Sequence, residues 1–425
     1  MDRDELHKLS KGELVELVLK LQRPSRTSRT SSKPPSLDKK ARREEAKPGG
    51  GKPGHKGHFR KLHEAPDETV DHRPAECPQC HDLLDGAHSG VVIGEYDEIE
   101  FPVLKPFVRR HRRFAVICPQ CRARVKAPMP DAANGSPFGP RLHGLALYLK
   151  TFHSVSFARL AGLFGDVFGL KLSQGALANM LRRSHMPFHS GKKKIIKRLR
   201  RADMVASDET GIRIEGLNGY HWVFLSTTEV VHEAQLSRAA QVVRDVMGEH
   251  KPEIWLSDGY SAQQNHGAHH QTCLAHLARD VAYGLEASND QVPFRLQLWL
   301  DRVFALARAI KTYAQSTLKA KKRQLENTLA DILLARPACE VAEALRAKFA
   351  RASPQLLTFL DFPGQVEVTN NACERSLRPA VIQRKNTNGF RSMWAARGDC
   401  AVRTVTDTAR LAGQSPFQTI TATLA

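Results

Sequence analysis

The chain has 425 residues, of which 41% are apolar, and carries a formal net charge of +20. That length exceeds one ordinary core and that apolar share excludes a disordered chain, so two or three compact units with linkers are expected. So large a cationic surplus repels itself unless a polyanion is the usual partner, which makes nucleic acid the first expectation. No stretch approaches the ~18–20 continuous apolar residues that span a bilayer. Met1 to Leu21 mixes charge throughout where a secretory signal needs an apolar run, so no membrane partner and a cytoplasmic place are expected.

Residues 1–22 place Leu6, Leu9, Leu14, Leu17 and Leu21 in one helical stripe. The segment is too short to fold alone, which suits pairing with a second copy. From 23 to 70 the composition turns to Pro, Gly, Ser, Lys and Arg, a flexible basic arm. Its closing run, Gly49 to His58, lets the backbone lie close to a partner while Lys52 and Lys56 supply charge. A phosphate backbone fits, and so does a solvated linker. Segment 71–130 holds two Cys-x-x-Cys pairs, with an alternating stretch at Tyr96–Phe101 between them that reads as a strand or two.

Region 135–190 reads as helices. Phe157, Leu160, Ala161 and Phe164 form one stripe, Gly165 and Gly169 break it, and a second helix starts at Ser173 and ends at the basic Arg182 and Arg183. The pair resembles a helix-turn-helix that meets DNA through those arginines, and equally an ordinary helical hairpin. Gly191 to Arg201 reads as a basic connector.

An α/β pattern then occupies 200–395. Met204–Ser207, Gly211–Glu215 and His221–Ser226 read as antiparallel strands, with Asn218-Gly219 as the turn between the last two. A helix at Ala239–His250 and a short strand at Ile254–Ser257 follow. About 290–360 is a helical insertion. A final helix runs from Asn371 to Leu377 and stops at Pro379, leaving 396–425 as a C-terminal tail.

Three acidic residues sit where a ribonuclease-H-like sheet needs them. Asp208 ends the first strand, Asp258 ends the fourth, and Glu374 lies on the last helix. Such a cluster of hard oxygen ligands suits two Mg²⁺ (or Mn²⁺) ions and in-line phosphoryl transfer. Among 44 acidic residues periodicity alone does not select these three, since strand-end aspartates are also turn formers and caps.

The motifs make the selection. Asp208-Glu209-Thr210, Asp258-Gly259-Tyr260-Ser261, Cys273-Leu274-Ala275-His276 and Asn370-Asn371-Ala372-Cys373-Glu374-Arg375-Ser376-Leu377-Arg378-Pro379, ending in Arg384-Lys385-Asn386, occur in that order. In these blocks, and in the leading stripe, basic arm and cysteine segment, the chain resembles the insertion-sequence-66 family of DDE transposases. One departure follows the last block, where Thr387-Asn388-Gly389-Phe390-Arg391-Ser392 replaces the family's usual Trp and small-residue turn.

The resemblance implies a multi-domain α/β protein. A ribonuclease-H-like catalytic domain with a helical insertion would follow an N-terminal helix, a zinc-binding segment and a helix-turn-helix. It implies that Asp208, Asp258 and Glu374 carry the catalytic metals and that Arg375, Arg378, Arg384 and Lys385 hold DNA phosphates beside them. Cys77, Cys80, Cys118 and Cys121 supply the four thiolates of a structural zinc site. His72 and His81 read as exposed loop histidines, and Cys273 with His276 as a hydrogen-bonded packing pair near the site. The activity implied is metal-dependent cleavage of an insertion sequence's terminal repeats and strand transfer into target DNA, by a bacterial, nucleoid-associated protein. Two ends cut together require at least a dimer on double-stranded DNA, with accessory proteins of the same element as further partners. A silent or domesticated DNA-binding regulator and a non-transposing nuclease of the same fold fit the same residues.

Overall fold

The computed structural model describes residues 10–31, 38, 54–57, 60–84, 90–128 and 136–425. Leu6, Leu9 and Lys52 lie outside the described residues. The chain divides into two compact units, one of Met1–Lys39 with Val108–Ala425 and one of Lys40–Phe107.

In the second unit a single bridge, Glu76↔Leu83, closes a turn around Cys77 and Cys80. The strand expected at Tyr96–Phe101 is absent among the described residues. Ile93, Tyr96 and Phe101 are exposed, and alternation fixes a strand only where one face is buried.

The first unit opens with α1 (Lys11–Gln22), started by a reciprocal cap in which the Ser10 hydroxyl accepts the Glu13 N–H and Glu13 accepts the Ser10 N–H. Val15, Val18 and Leu21 on this helix are exposed. A short hairpin, β1 (Ala115–Ile117) and β2 (Arg124–Lys126), frames Cys118 and Cys121. Next come α2 (Pro140–Thr151), α3 (Phe157–Phe168), ended by Gly169 in the left-handed region, and α4 (Gln174–Leu199). The expected connector at Gly191–Arg201 is instead largely the end of α4. Lys192, Ile195 and Leu199 are buried there at helical spacing, so the basic run is one face of a packed helix.

The sheet has five strands: β3 (Met204–Ile214), β4 (Leu217–Leu225), β5 (Val230–Gln235), β6 (Ile254–Ser257) and β7 (His269–Thr272). Their order is β5-β4-β3-β6-β7, antiparallel from β5 to β3 and parallel from β3 to β7. The two strands expected at 204–207 and 211–215 are one. The turn after them is Glu215-Gly216, not Asn218-Gly219, because Glu215 (φ 55°) and Gly216 (φ 80°) take the two positive φ angles that a type I′ turn needs. Asn218 instead pairs with Arg213, so Asp208 stands inside a strand and not at its end. Strands β5 and β7 were not foreseen. The polar β7 is held by its pairing with β6, and its buried Gln271 bonds Leu356 and Phe359 backbone groups.

One sheet face, with Ala206, Val223 and Leu256, packs under α6 (Leu274–Ala287), α7 (Gln291–Arg308), α8 (Gln315–Leu333) and α9 (Glu340–Ala352). The other, with Val205, Trp222, Phe224 and Trp255, packs on α4 and α5 (Ala240–Met247). Trp222, Trp255 and Trp299 are wholly buried, each worth roughly 2–3 kcal/mol of apolar transfer. Arg23 bonds Glu340 at 3.1 Å and Arg26 lies 4.5 Å over Tyr283, tying the chain after α1 to α9 and α6.

The last expected helix, α10, runs Asn371–Thr387 straight through Pro379. Proline removes one N–H donor there, but buried Leu377, Ala380 and Gln383 keep the helix packed on both sides of it. The departing segment ends α10 at Asn388 in the left-handed region, and Phe390 then bonds Arg213 and Glu215 at the end of β3. Residues read as a tail form α11 (Met393–Leu411) and α12 (Pro416–Leu424). Both are core elements, because Ala401, Val402 and Ile420 join the α2–α4 cluster.

Candidate active site

The sheet register brings the two aspartates together. Ala206 pairs with Leu256 across the parallel β3–β6 ladder, and Asp208 and Asp258 lie two residues further on. With a period of two they emerge on the same face. Glu374 reaches that face from the first turn of α10. The residue before this helix fixes it there: the Asn370 side chain donates to the Ser207 carbonyl at 2.7 Å, and its N–H donates to Cys273 Sγ at 3.1 Å.

The cluster repels itself. Burial, then Glu209, Asp258 and Glu374, push the Asp208 carboxyl well above the usual range, against the Glu209 N–H that donates to its Oδ1 at 2.9 Å. Asp258 accepts the Tyr260 N–H at 3.0 Å. Glu374 is turned toward Arg279 at 3.4 Å and His276 at 3.9 Å, both on α6. Asn370 Oδ1 and His276 Nδ1 are buried here without a hydrogen-bond partner. Among the described residues no three His, Cys, Asp or Glu side chains converge into a finished ligand cluster. The donor set nevertheless fits a divalent cation: three carboxylates from separate segments, whose mutual repulsion a positive charge would relieve.

Cys273 is buried at the start of α6 and accepts from Asn370, so it joins α6 to α10. His276, one turn later, faces the carboxylates. Several partners were not singled out as site residues. The Glu209 side chain, within the first motif block, is buried and bonds Arg238 at 2.6 Å and Gln263 at 2.7 Å, and Arg279 answers Glu374. Arg238, Gln263 and Arg279 lie at no spacing that marks them; only the fold brings them together.

Of the basic residues, Arg375, Arg378 and Lys385 lie on the exposed side of α10. Arg384 differs, since its guanidinium turns back to the Gly211 carbonyl. Arg183 is exposed, and Arg182 lies 5.6 Å from the Trp394 ring. Lys56 is exposed.

The cysteine pairs share one local geometry. The Cys77 carbonyl accepts the His81 N–H and the Cys77 N–H donates to Asp82; Cys118 does the same with Arg122 and Ala123. His81 and Arg122 each take φ 59°. N–H groups of Cys80 and Gln79 pull the Cys77 thiol below its ordinary range, and those of Cys121 and Gln120 do so for Cys118. Cys77 and Cys80 belong to the second unit, Cys118 and Cys121 to the first. His72 and His81 are exposed, and Cys373 and Cys400 are buried.

Among the described residues no helix is long and apolar enough to cross a membrane. No curated protein matches the chain. A sequence model of the family described as Transposase IS66 family matches residues 135–398, which is more than half of the chain and includes all three carboxylates. The chain therefore belongs to the insertion-sequence-66 family of transposases.

Proposed function

We propose that the chain cuts and joins DNA through Asp208, Asp258 and Glu374. The sheet order, three antiparallel strands followed by two parallel ones, is that of a ribonuclease-H-like domain. Two Mg²⁺ or Mn²⁺ ions held by these carboxylates would activate the attacking oxygen and neutralise the leaving one. The observation that carries this reading is the self-repelling carboxylate cluster, where Asp208 is half-buried and Glu209, Asp258 and Glu374 push on it.

The exposed side of α10 leads away from Glu374, so Arg375, Arg378 and Lys385 suit successive phosphates of a duplex. Arg384 contributes by fixing β3 to α10. The α3–α4 pair and the arm with Lys52 and Lys56 serve recognition of the terminal repeats, with Arg182 and Arg183 at the DNA. Each cysteine hairpin presents a lowered thiol in the same turn, which suits a structural zinc. The exposed apolar side of α1 pairs two copies on DNA. Accessory proteins of the element and a nucleoid-associated place in the bacterial cytoplasm complete the proposal.

The test is cleavage of DNA bearing the element's own ends, with Mg²⁺ or Mn²⁺, on protein that carries one zinc per chain. Wild type cuts and joins, whereas Glu374→Gln and Asp258→Asn bind the ends without cutting. Wild type that binds but never cuts, even with the neighbouring gene products added, would overturn the enzyme reading in favour of a regulator. Cutting without strand transfer would mark a nuclease.

A further inference from the structure

Asp258 stands beyond the last ladder pair between β3 and β6, which is Ala206↔Leu256. That ladder therefore does not fix it to the Asp208 strand, the β6–β7 ladder ends one residue before it at Ser257↔Thr272, and Asp208 repels it. Something else must fix the Asp258–Tyr260 loop.

Glu209 follows Asp208 and, by strand alternation, points to the opposite face of the sheet, where its side chain is only 2% exposed. Arg238, in the connection between β5 and α5, donates to Glu209 Oε1 through Nε at 2.8 Å and lies within 2.6 Å through Nη2. The same guanidinium lies flat against Tyr260, 3.9 Å from the ring centroid. The Tyr260 hydroxyl donates back to the Arg238 carbonyl at 3.3 Å, and the Tyr260 N–H donates to Asp258 at 3.0 Å. Gln263 closes the other side, bonding Glu209 at 2.7 Å and Ser207 at 3.3 Å.

A continuous path thus runs from the segment of Asp208 through Glu209, Arg238 and Tyr260 to Asp258. We propose that Arg238 is a positioning residue that locks the two aspartate-bearing segments at the separation needed to share a divalent cation. The inference rests on the reading of Asp208 and Asp258 as metal-binding groups. Arg238 touches neither aspartate and acts through their neighbours. Its planar fork takes the carboxylate edge-on while its face stacks on the tyrosine, a combination that lysine lacks. It also offsets part of the charge of Glu209, which adds to the repulsion on Asp208.

The experiment measures Mn²⁺ binding to the full chain by the loss of free-Mn²⁺ electron paramagnetic resonance signal, beside thermal unfolding in EDTA. Arg238→Gln and Arg238→Lys should each weaken Mn²⁺ binding by about ten- to a hundredfold, with the unfolding midpoint of Arg238→Lys near wild type. Tyr260→Ala should do the same, and Arg238→Lys with Tyr260→Ala should weaken binding no further than either alone, because both break one path. Wild-type Mn²⁺ affinity in a folded Arg238→Lys protein, or additive losses in the double variant, overturns the proposal. If Asp258→Asn also leaves Mn²⁺ binding unchanged, the metal reading of the carboxylates fails and the clamp falls with it. If Asp258→Asn abolishes binding while the arginine variants keep it, only the clamp fails.

Discussion

Asp208 and His232 stand in one cross-strand row of the sheet with Val223 between them, two strand spacings or about 10 Å apart. They face the same way, yet the polar groups around them follow opposite rules. Around His232 every donor finds an acceptor. His232 Nε2 meets Asp407 at 3.1 Å, its Nδ1 meets His221 Nε2 at 2.9 Å, and Cys400 Sγ lies 3.8 Å from His221 Nδ1. A carboxylate at one end assigns the remaining protons in sequence: His232 donates to Asp407, His221 to His232, and the Cys400 thiol to His221. Arg410 bonds the other oxygen of Asp407 at 3.2 Å.

Around Asp208 the carboxylates are half-buried and like-charged, and two neighbouring polar atoms, Asn370 Oδ1 and His276 Nδ1, have no partner. The histidine chain is complete as it stands and serves as internal glue between β4, β5 and α11. The carboxylate face is incomplete, which suits the metal-binding role proposed for it.

Substitutions that remove one carboxylate from each cluster should break the comparison most clearly. Asp208→Asn should lower DNA cleavage on the order of a thousandfold or more and at the same time raise the unfolding temperature in EDTA, because it relieves repulsion. A lower unfolding temperature would place Asp208 with the glue. Asp407→Asn should do the reverse. It removes the charge and leaves one acceptor oxygen for two donors, His232 and Arg410, and should cost about 2–4 kcal/mol by urea unfolding, while cleavage per folded molecule stays near wild type.

The smallest effect is in acid. Burial alone would raise Asp407, but His232, Arg403 and Arg410 outweigh it and hold its carboxyl below the ordinary range. Its contribution is therefore full above the unfolded value of about 3.9 and is lost as pH falls through the folded value. Burial, then His232, Arg403 and Lys192, push His221 well below its ordinary range, so stability also declines as pH drops below about 6.5. Urea midpoints should fall steadily from pH 7 to about pH 2 in wild type. Asp407→Asn should flatten the curve only at its acid end, and an unchanged slope there would refute the assignment of Asp407.

Much of the site was legible before folding, because a motif carries Asp208, Asp258 and Glu374 together with the residues beside them. The helical insertion was legible too, through apolar spacing. The second half of the sheet was not. Strand β7 reads His-His-Gln-Thr and becomes a strand only beside β6. The basic run 191–201 offers no sign that Lys192, Ile195 and Leu199 face a core, and Pro379 reads as a stop until Leu377 and Gln383 are seen buried around it.

The sequence by itself determined what lies within reach of a turn. Each Cys-Pro-Gln-Cys hairpin closes through hydrogen bonds between residues four or five apart, so its geometry follows from local chemistry. The tertiary structure alone decided the rest. Glu209 and Arg238 are 29 positions apart, Arg279 and Glu374 are 95 apart, and His232 and Asp407 are 175 apart. No local preference encodes such pairings. They exist because strand register and helix packing bring those side chains to one place, and a one-residue slip of any strand would turn them to the other face.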